Sequence, residues 1–152
     1  MNRWDILNHL IKVNNYKSYL EIGYFKGWSF DNVNCETKVA VDPNPSKDQD
    51  QESLKEGWIH VFKAGYPNFD RTHQLWKMTS DKFFETIIES NLFDVIFIDG
   101  LHEASQVTKD IENSLKHLSP KGTIVLHDCN PPTLAHATTG DAGGNWNGDV
   151  YK

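Results

Sequence analysis

The stretch Tyr19-Leu20-Glu21-Ile22-Gly23-Tyr24-Phe25-Lys26-Gly27-Trp28-Ser29 constrains this chain more than any other. It begins as a short apolar run, meets an acid and breaks on two glycines, and a polar, helix-compatible segment follows. A buried parallel strand hands over to a helix in this way, with glycine where the backbone must turn sharply or come close to a ligand. A helix starting near Gly27 would aim free N–H groups at the loop 23–27, and helix N-termini attract negative groups. Three further strand candidates finish on an acid, at Asp42, Asp99 and Asp128. Carboxylates gathered at the carboxyl edge of a parallel sheet mark a ligand site.

The rest of the chain supplies the alternation that such a sheet needs. Trp4, Leu7, Leu10 and Ile11 recur at helical spacing, with Ile6 and Val13 on the flank, so residues 4–14 read as an amphipathic helix. Residues 18–22 are the first strand, and Lys38-Val39-Ala40-Val41-Asp42 is the second, stopped by Pro43-Asn44-Pro45. Residues 46–57 are polar and read as a loose helix, and 64–70 as a loop or insertion. The third strand has two candidates, Trp58 to Phe62 and Gln74 to Met78. Ser80 is placed as the N-cap of a helix over 81–90 with Phe83, Phe84, Ile87 and Ile88 on its apolar side. Phe93-Asp94-Val95-Ile96-Phe97-Ile98 is the nearly continuous apolar run of a central parallel strand buried on both faces. A helix over 103–118 places Val107, Ile111, Leu115 and Leu118 on one face, Ser119-Pro120-Lys121-Gly122 is a turn, and Thr123 to Leu126 is a fifth strand. Pro131-Pro132 and the glycine-rich stretch 140–145 give residues 131–149 the composition of a flexible lid loop. The fold class is therefore α/β: one domain over residues 1–152, a Rossmann-like doubly wound parallel sheet with right-handed crossovers.

Composition removes several functional classes. A net charge of −6, with no stripe of Lys and Arg, argues against a nucleic-acid partner. No apolar run is long enough to span a bilayer, and the N-terminus has no secretory core, so neither a membrane nor a secreted setting is expected. Cys35 and Cys129 make no disulfide framework, and a reduced, cytoplasmic setting is the expectation. The glycine loop is Gly-x-x-x-Gly rather than Gly-x-Gly-x-x-Gly, which argues against an NAD-binding domain, the alternative nucleotide reading. Asp42 follows the first glycine by about 20 residues, where an acid in a doubly wound fold receives a ribose hydroxyl pair.

Residues 19–29, with Val41-Asp42-Pro43, Ser80, Phe97-Ile98-Asp99-Gly100-Leu101-His102 and Gly122 to Asp128, resemble the class I S-adenosylmethionine-dependent methyltransferases. The Glu-Ile-Gly-Tyr-Phe-Lys-Gly-Trp-Ser form is similar to the catechol O-methyltransferase branch and its bacterial relatives acting on antibiotics and sugars, the methyltransferase domain 24 type. The resemblance covers roughly residues 16–133. It implies S-adenosylmethionine as cofactor, held by Glu21, Gly23, Tyr24, Phe25, Gly27, Ser29, Asp42, Ser80, Asp81 and Asp99. Within that set, Ser29 and the loop 23–27 would hold the methionine part, Asp42 the ribose, and Ser80 and Asp81 the adenine. The plain reading of Ser80 is a helix cap alone, and that of Glu21 a solvated strand end.

The resemblance also implies a divalent cation such as Mg2+, with Asp99, Asp128 and Asn130 as its ligands. Cys129 stands where the metal-dependent relatives have asparagine, and a thiol is a poor Mg2+ ligand. Asp99 and His102 are the catalytic candidates; His102 occupies the place of a general-base lysine, its alternative being a helix cap or surface residue. His127 is expected to pack or hydrogen-bond rather than catalyse, on the face opposite Leu126 and Asp128. The implied reaction is methyl transfer to a small-molecule or sugar hydroxyl; the alternative is a domain that binds the cofactor and transfers nothing. The resemblance implies the strand order 3-2-1-4-5, and the family's strands 6 and 7 are not expected among these residues, which would leave the strand 5 edge open to homo-oligomer formation.

Overall fold

The computed structural model describes residues 1–45, 73–137 and 147–150. The helix over 46–57, the strand candidate 58–62 and the loop 64–70 therefore lie outside the described residues. The elements are α1 (Arg3–Asn14), β1 (Ser18–Ile22), α2 (Trp28–Asn32), β2 (Thr37–Val41), β3 (His73–Trp76), α3 (Ser80–Thr86), β4 (Phe93–Ile98), α4 (Ala104–Lys116) and β5 (Leu118–Leu126). A short 3-10 turn, Leu134–Ala137, follows.

The five strands pair in parallel in the order β3-β2-β1-β4-β5. Alternation along β1 sends Tyr19 to one face and Leu20 and Ile22 to the other, and the same split divides Val95 and Phe97 from Ile96 and Ile98 on β4. Helices α1 and α2 cover the first face through Leu7, Ile11 and Phe30; α3 and α4 cover the second through Phe83 and Ile111. Helix α2 is short, and a buried lysine closes its end: the Lys38 amine donates to the carbonyls of Phe30 and Val33. A cation at a helix C-terminus meets the negative end of its dipole.

Local expectations shift in four places. The α3 cap is Thr79, whose hydroxyl accepts the Lys82 N–H at 3.3 Å, and Ser80 is the first helical residue. That helix stops at Thr86 and leaves Ile88 66% exposed. Helix α4 buries Val107 and packs Ile111 on the core as expected, but the buried face also takes in Asp110 and Ser114, Leu115 is 59% exposed and Leu118 is already in β5. The stretch 119–122 is strand rather than turn, because β5 starts at Leu118 and absorbs a register shift against β4 between Phe93 and Val95. Its Pro120 and exposed Lys121 suit an edge strand, where a missing N–H and a charge are tolerated.

Candidate active site

A cavity of about 1010 Å3 opens at the carboxyl ends of β1, β2, β4 and β5. In a doubly wound sheet this is where the crossovers part, here between β1 and β4. Its first half is the loop after β1. Gly23 adopts φ +94, and a Cβ there would fall 2.0 Å from the Asp99 carbonyl oxygen, so the ends of β1 and β4 come together only over glycine. Phe25 also lies in the left-handed region, at φ +47. Asp42 pins that loop: Oδ2 accepts the Phe25 N–H and Oδ1 the Asn44 N–H, each at 2.7 Å. Each oxygen keeps a lone pair for a ligand hydroxyl.

Glu21, Gly23, Tyr24, Phe25, Ser29 and Asp42 all line this half. Gly27 does not; it takes φ +72 at the start of α2, and a Cβ there would meet the Tyr24 ring at 2.5 Å. Its part is to shape the loop. Glu21 is 2% exposed rather than solvated, and accepts a hydrogen bond from the Tyr19 hydroxyl. Burial pushes its carboxyl up to about 8, against the opposing pull of the Tyr19 hydrogen bond. Trp28 lines the mouth at 56% exposure, whereas Trp76 belongs to the core.

On the far rim, Ser80 and Asp81 line the cavity with Gln106 and Asp110. The Gln106 amide donates to Ser80 Oγ at 3.3 Å and to Asp81 Oδ1 and Asp110 Oδ1 at 3.1 Å each. Sequence reasoning missed Gln106 and Asp110, although their separation of four places them on one helical face. Burial raises the Asp110 carboxyl above its ordinary value, and the Asp81 charge adds to this against the hydrogen bonds of Ser80 and Gln106.

The last wall is a polar cluster. His102 Nε2 lies 3.5 Å from Asp99 Oδ1 and 3.5 Å from Asp128 Oδ2. His127 Nδ1 lies 3.1 Å from the same Asp99 oxygen and 3.0 Å from the same Asp128 oxygen. Arg3, from the start of α1, pairs with Asp99 Oδ2. His127 packs edge-on against Phe97, 6.0 Å between ring centroids, and meets both carboxylates; what is corrected is the expectation that it faces away from Asp128. Asp128 takes φ +56, which breaks strand alternation and returns its side chain to the side of His127. The Asp128 and Asp99 carboxylates beside it raise His127 to about 9. Burial alone would raise Asp99; the adjoining His102 and His127 imidazoles and the charge of Arg3 outweigh it and hold the carboxyl low. Asp128 is lowered against burial chiefly by the adjoining His127 imidazole.

Asp99, His102 and Asp128 can each offer one ligand atom within 4.8 Å of the others. Two carboxylates with room for water fit a hard divalent cation. The third donor is an imidazole rather than the expected amide, a set that borderline cations accept equally well. Asn130 is exposed and lies outside the cavity lining, and Cys129 is exposed with its thiol on the His127 carbonyl. An amide does reach Asp128, but it is that of Asn147, which donates to Oδ1 at 2.6 Å. Neither Arg3 nor Asn147 carried a sequence signal, because only the fold brings them to this edge.

The geometry agrees with known proteins. No curated protein matches the chain by sequence. A Staphylococcus aureus protein assigned as a caffeoyl-CoA O-methyltransferase superposes with a TM-score of 0.56 at 21% identity, covering 85% of this chain and 59% of that one. A Klebsiella pneumoniae protein assigned as an O-methyltransferase gives a TM-score of 0.61 at 17% identity, covering 99% of this chain and 64% of its own. The chain thus spans about three-fifths of the length of these structures, and at such identity the likeness concerns the fold. The family model described as "Methyltransferase domain" matches residues 20–129, from the middle of β1 past the end of β5. The chain belongs to this methyltransferase family and carries its Rossmann-like class I fold, which implies S-adenosylmethionine as the bound cofactor.

Proposed function

We propose that this chain transfers the methyl group of S-adenosylmethionine to a hydroxyl of a small-molecule or sugar acceptor. The observation that carries the reading is the two-part cavity. A glycine loop pinned by Asp42 stands on one side, and an acid–histidine cluster 3.5 Å and closer stands on the other. The methionine part would lie along the loop 23–27 and Ser29, the ribose hydroxyls on Asp42, and the adenine beside Ser80 and Asp81. Asp99 borders both halves, through the Gly23 contact and through His102.

The reaction balances without a redox step. The acceptor oxygen attacks the sulfonium methyl carbon in line, a C–O bond forms, the C–S bond breaks, and the sulfonium becomes a neutral thioether. The hydroxyl proton passes to the His102 imidazole. Asp99 and Asp128 hold that ring in place and stabilise its protonated form. Much of the acceleration comes from holding two reactants in attack geometry, with a ceiling of roughly 7–11 kcal/mol. A divalent cation, if bound by Asp99, Asp128 and His102, would lower the pKa of the acceptor hydroxyl; His102 would then ligate, and the proton would leave to solvent. The cofactor-binding, non-transferring alternative is favoured only by the chain's partial coverage of its structural neighbours.

Calorimetry with S-adenosylhomocysteine tests the cofactor half. Micromolar binding to the 152-residue chain is expected, and Asp42→Ala should weaken it by about 10–100-fold, the loss of hydrogen bonds to a charged group. An unchanged affinity in that variant would remove the ribose assignment. Radiolabelled methyl transfer to a panel of sugar and phenolic hydroxyls, lost in His102→Ala with cofactor binding intact, separates transfer from binding alone.

A further inference from the structure

The segment Asn147–Asp149 is tied to the polar cluster from several sides. The Asn147 backbone N–H donates to the His136 carbonyl at 3.0 Å, and its side chain donates to Asp128 Oδ1 at 2.6 Å. The Asp149 N–H donates to the His102 carbonyl at 3.3 Å, and Asp149 Oδ1 accepts the Ala104 N–H at 2.6 Å. Asp149 is 9% exposed, so this carboxylate is held rather than solvated. Between them Gly148 takes φ +66, and a Cβ there would fall 1.8 Å from the His102 carbonyl oxygen. Only glycine lets the two backbones approach so closely.

We propose that Asn147, Gly148 and Asp149 form a positioning strap: Asn147 orients the Asp128 carboxylate, and Gly148 and Asp149 fix the loop that carries His102. Two demands of the site are met by it. Asp128 sits at φ +56, a conformation that a non-glycine residue keeps only when its surroundings hold it there. Asn147 takes Oδ1 and leaves Oδ2 facing His127 and His102. A neutral amide does this without cancelling the carboxylate's charge. Helix α4 begins at Ala104 just after His102, and its N-cap residue Glu103 makes no side-chain cap. Asp149 supplies that cap from outside the helix, satisfying a first-turn N–H and meeting the positive end of the dipole. His102 is thereby fixed at both flanks, by β4 before it and by the capped helix after it.

The catalytic meaning of the strap rests on the methyltransferase reading; its geometry does not. The experiment uses the whole chain, labelled with 15N at histidine, and the variants Asn147→Ala, Asp149→Ala and Asp149→Asn. Asn147→Ala should shift or broaden the imidazole resonances of His127 and His102. The exposed His9 should stay unmoved, and S-adenosylhomocysteine affinity should stay within about twofold, because the β1 and β2 half is untouched. Asp149→Ala should move the His102 resonances, and Asp149→Asn should keep them, since asparagine accepts the same N–H. Unmoved His102 and His127 resonances in Asn147→Ala would overturn the strap, and so would an Asp149→Asn variant that behaves like Asp149→Ala. If Asp149→Ala does not fold, Asn147→Ala decides by itself. Failure of the wild-type chain to bind S-adenosylhomocysteine would count against the methyltransferase reading, while the histidine comparison would still decide the strap.

Discussion

Glu21 keeps its proton at pH values where most glutamates have lost it. Burial between the strands lifts its folded value to about 8 from an ordinary 4.5. The folded state therefore holds more protons than the unfolded state between those limits. The contribution is fully present below 4.5 and is lost as pH rises through 8, with a slope of at most about 1.4 kcal/mol per pH unit. Glu21→Gln keeps an acceptor for the Tyr19 hydroxyl and has nothing to ionise. Urea denaturation across this range should give it a flatter pH dependence than the wild type; parallel curves would mean that Glu21 is charged. Glu21→Ala should instead cost about 1–3 kcal/mol by leaving a buried hydroxyl without its partner. Gly23→Ala is a harsher change. The added carbon meets backbone at 2.0 Å and the position needs φ +94, so both stability and S-adenosylhomocysteine binding should fall; a variant with wild-type affinity would show that the β1 and β4 ends can separate at little cost. Gly23 and Asp42 were legible because glycine at a strand end and an acid at the next strand end are local patterns. The face of His127 relative to Asp128 was misread for the converse reason. Alternation holds only while the backbone stays extended, and one left-handed residue, Asp128, ends it.

Among the elements, α3 and α4 separate what periodicity can say from what packing decides. Both helices were legible, and Phe83, Phe84, Ile87, Val107 and Ile111 face the core where periodicity puts them, yet the boundaries and the edges of each face moved. Thr79 rather than Ser80 caps α3, a distinction of one residue between two hydroxyl side chains of similar capping strength. Thr79→Ala should cost about 1 kcal/mol, or about 2–4 °C in Tm for a domain of this size, whereas Ser80→Ala should leave the helix and act on the cavity rim. Equal effects in differential scanning calorimetry would refute this division. In α4 the expected stripe holds at Val107 and Ile111, while Leu115 turns to solvent and the buried face takes in Asp110 and Ser114. The helix runs past the cavity, so the side facing inward must carry polar groups where the ligand space begins and a small residue where it presses on the sheet. Leu115→Gln should therefore change stability by no more than about 0.5 kcal/mol, a result that a core leucine could not give.

At the scale of the molecule, five parallel strands with their crossovers parting between β1 and β4 leave one opening, and the sheet delivers its acids to it. A ligand of the folded state raises Tm by mass action. S-adenosylhomocysteine should raise the melting temperature of the chain, and NAD at the same concentration should not; equal stabilisation by both would return the Gly-x-x-x-Gly loop to a general nucleotide site. Among the described residues no helix is long and apolar enough to cross a membrane. The amino-acid sequence by itself determined the alternation of strands and helices, the glycine turn, Asp42 at the end of β2 and the pair Asp99 and Asp128, because each follows from short-range periodicity or from a residue type that one backbone geometry demands. Only the tertiary structure decided the rest of the site. Arg3, Asp110, His127 and Asn147 come from separate elements, and their placement depends on helix rotation, one left-handed residue and a returning segment. Those are properties of packed surfaces, and local sequence patterns do not encode which surface meets which.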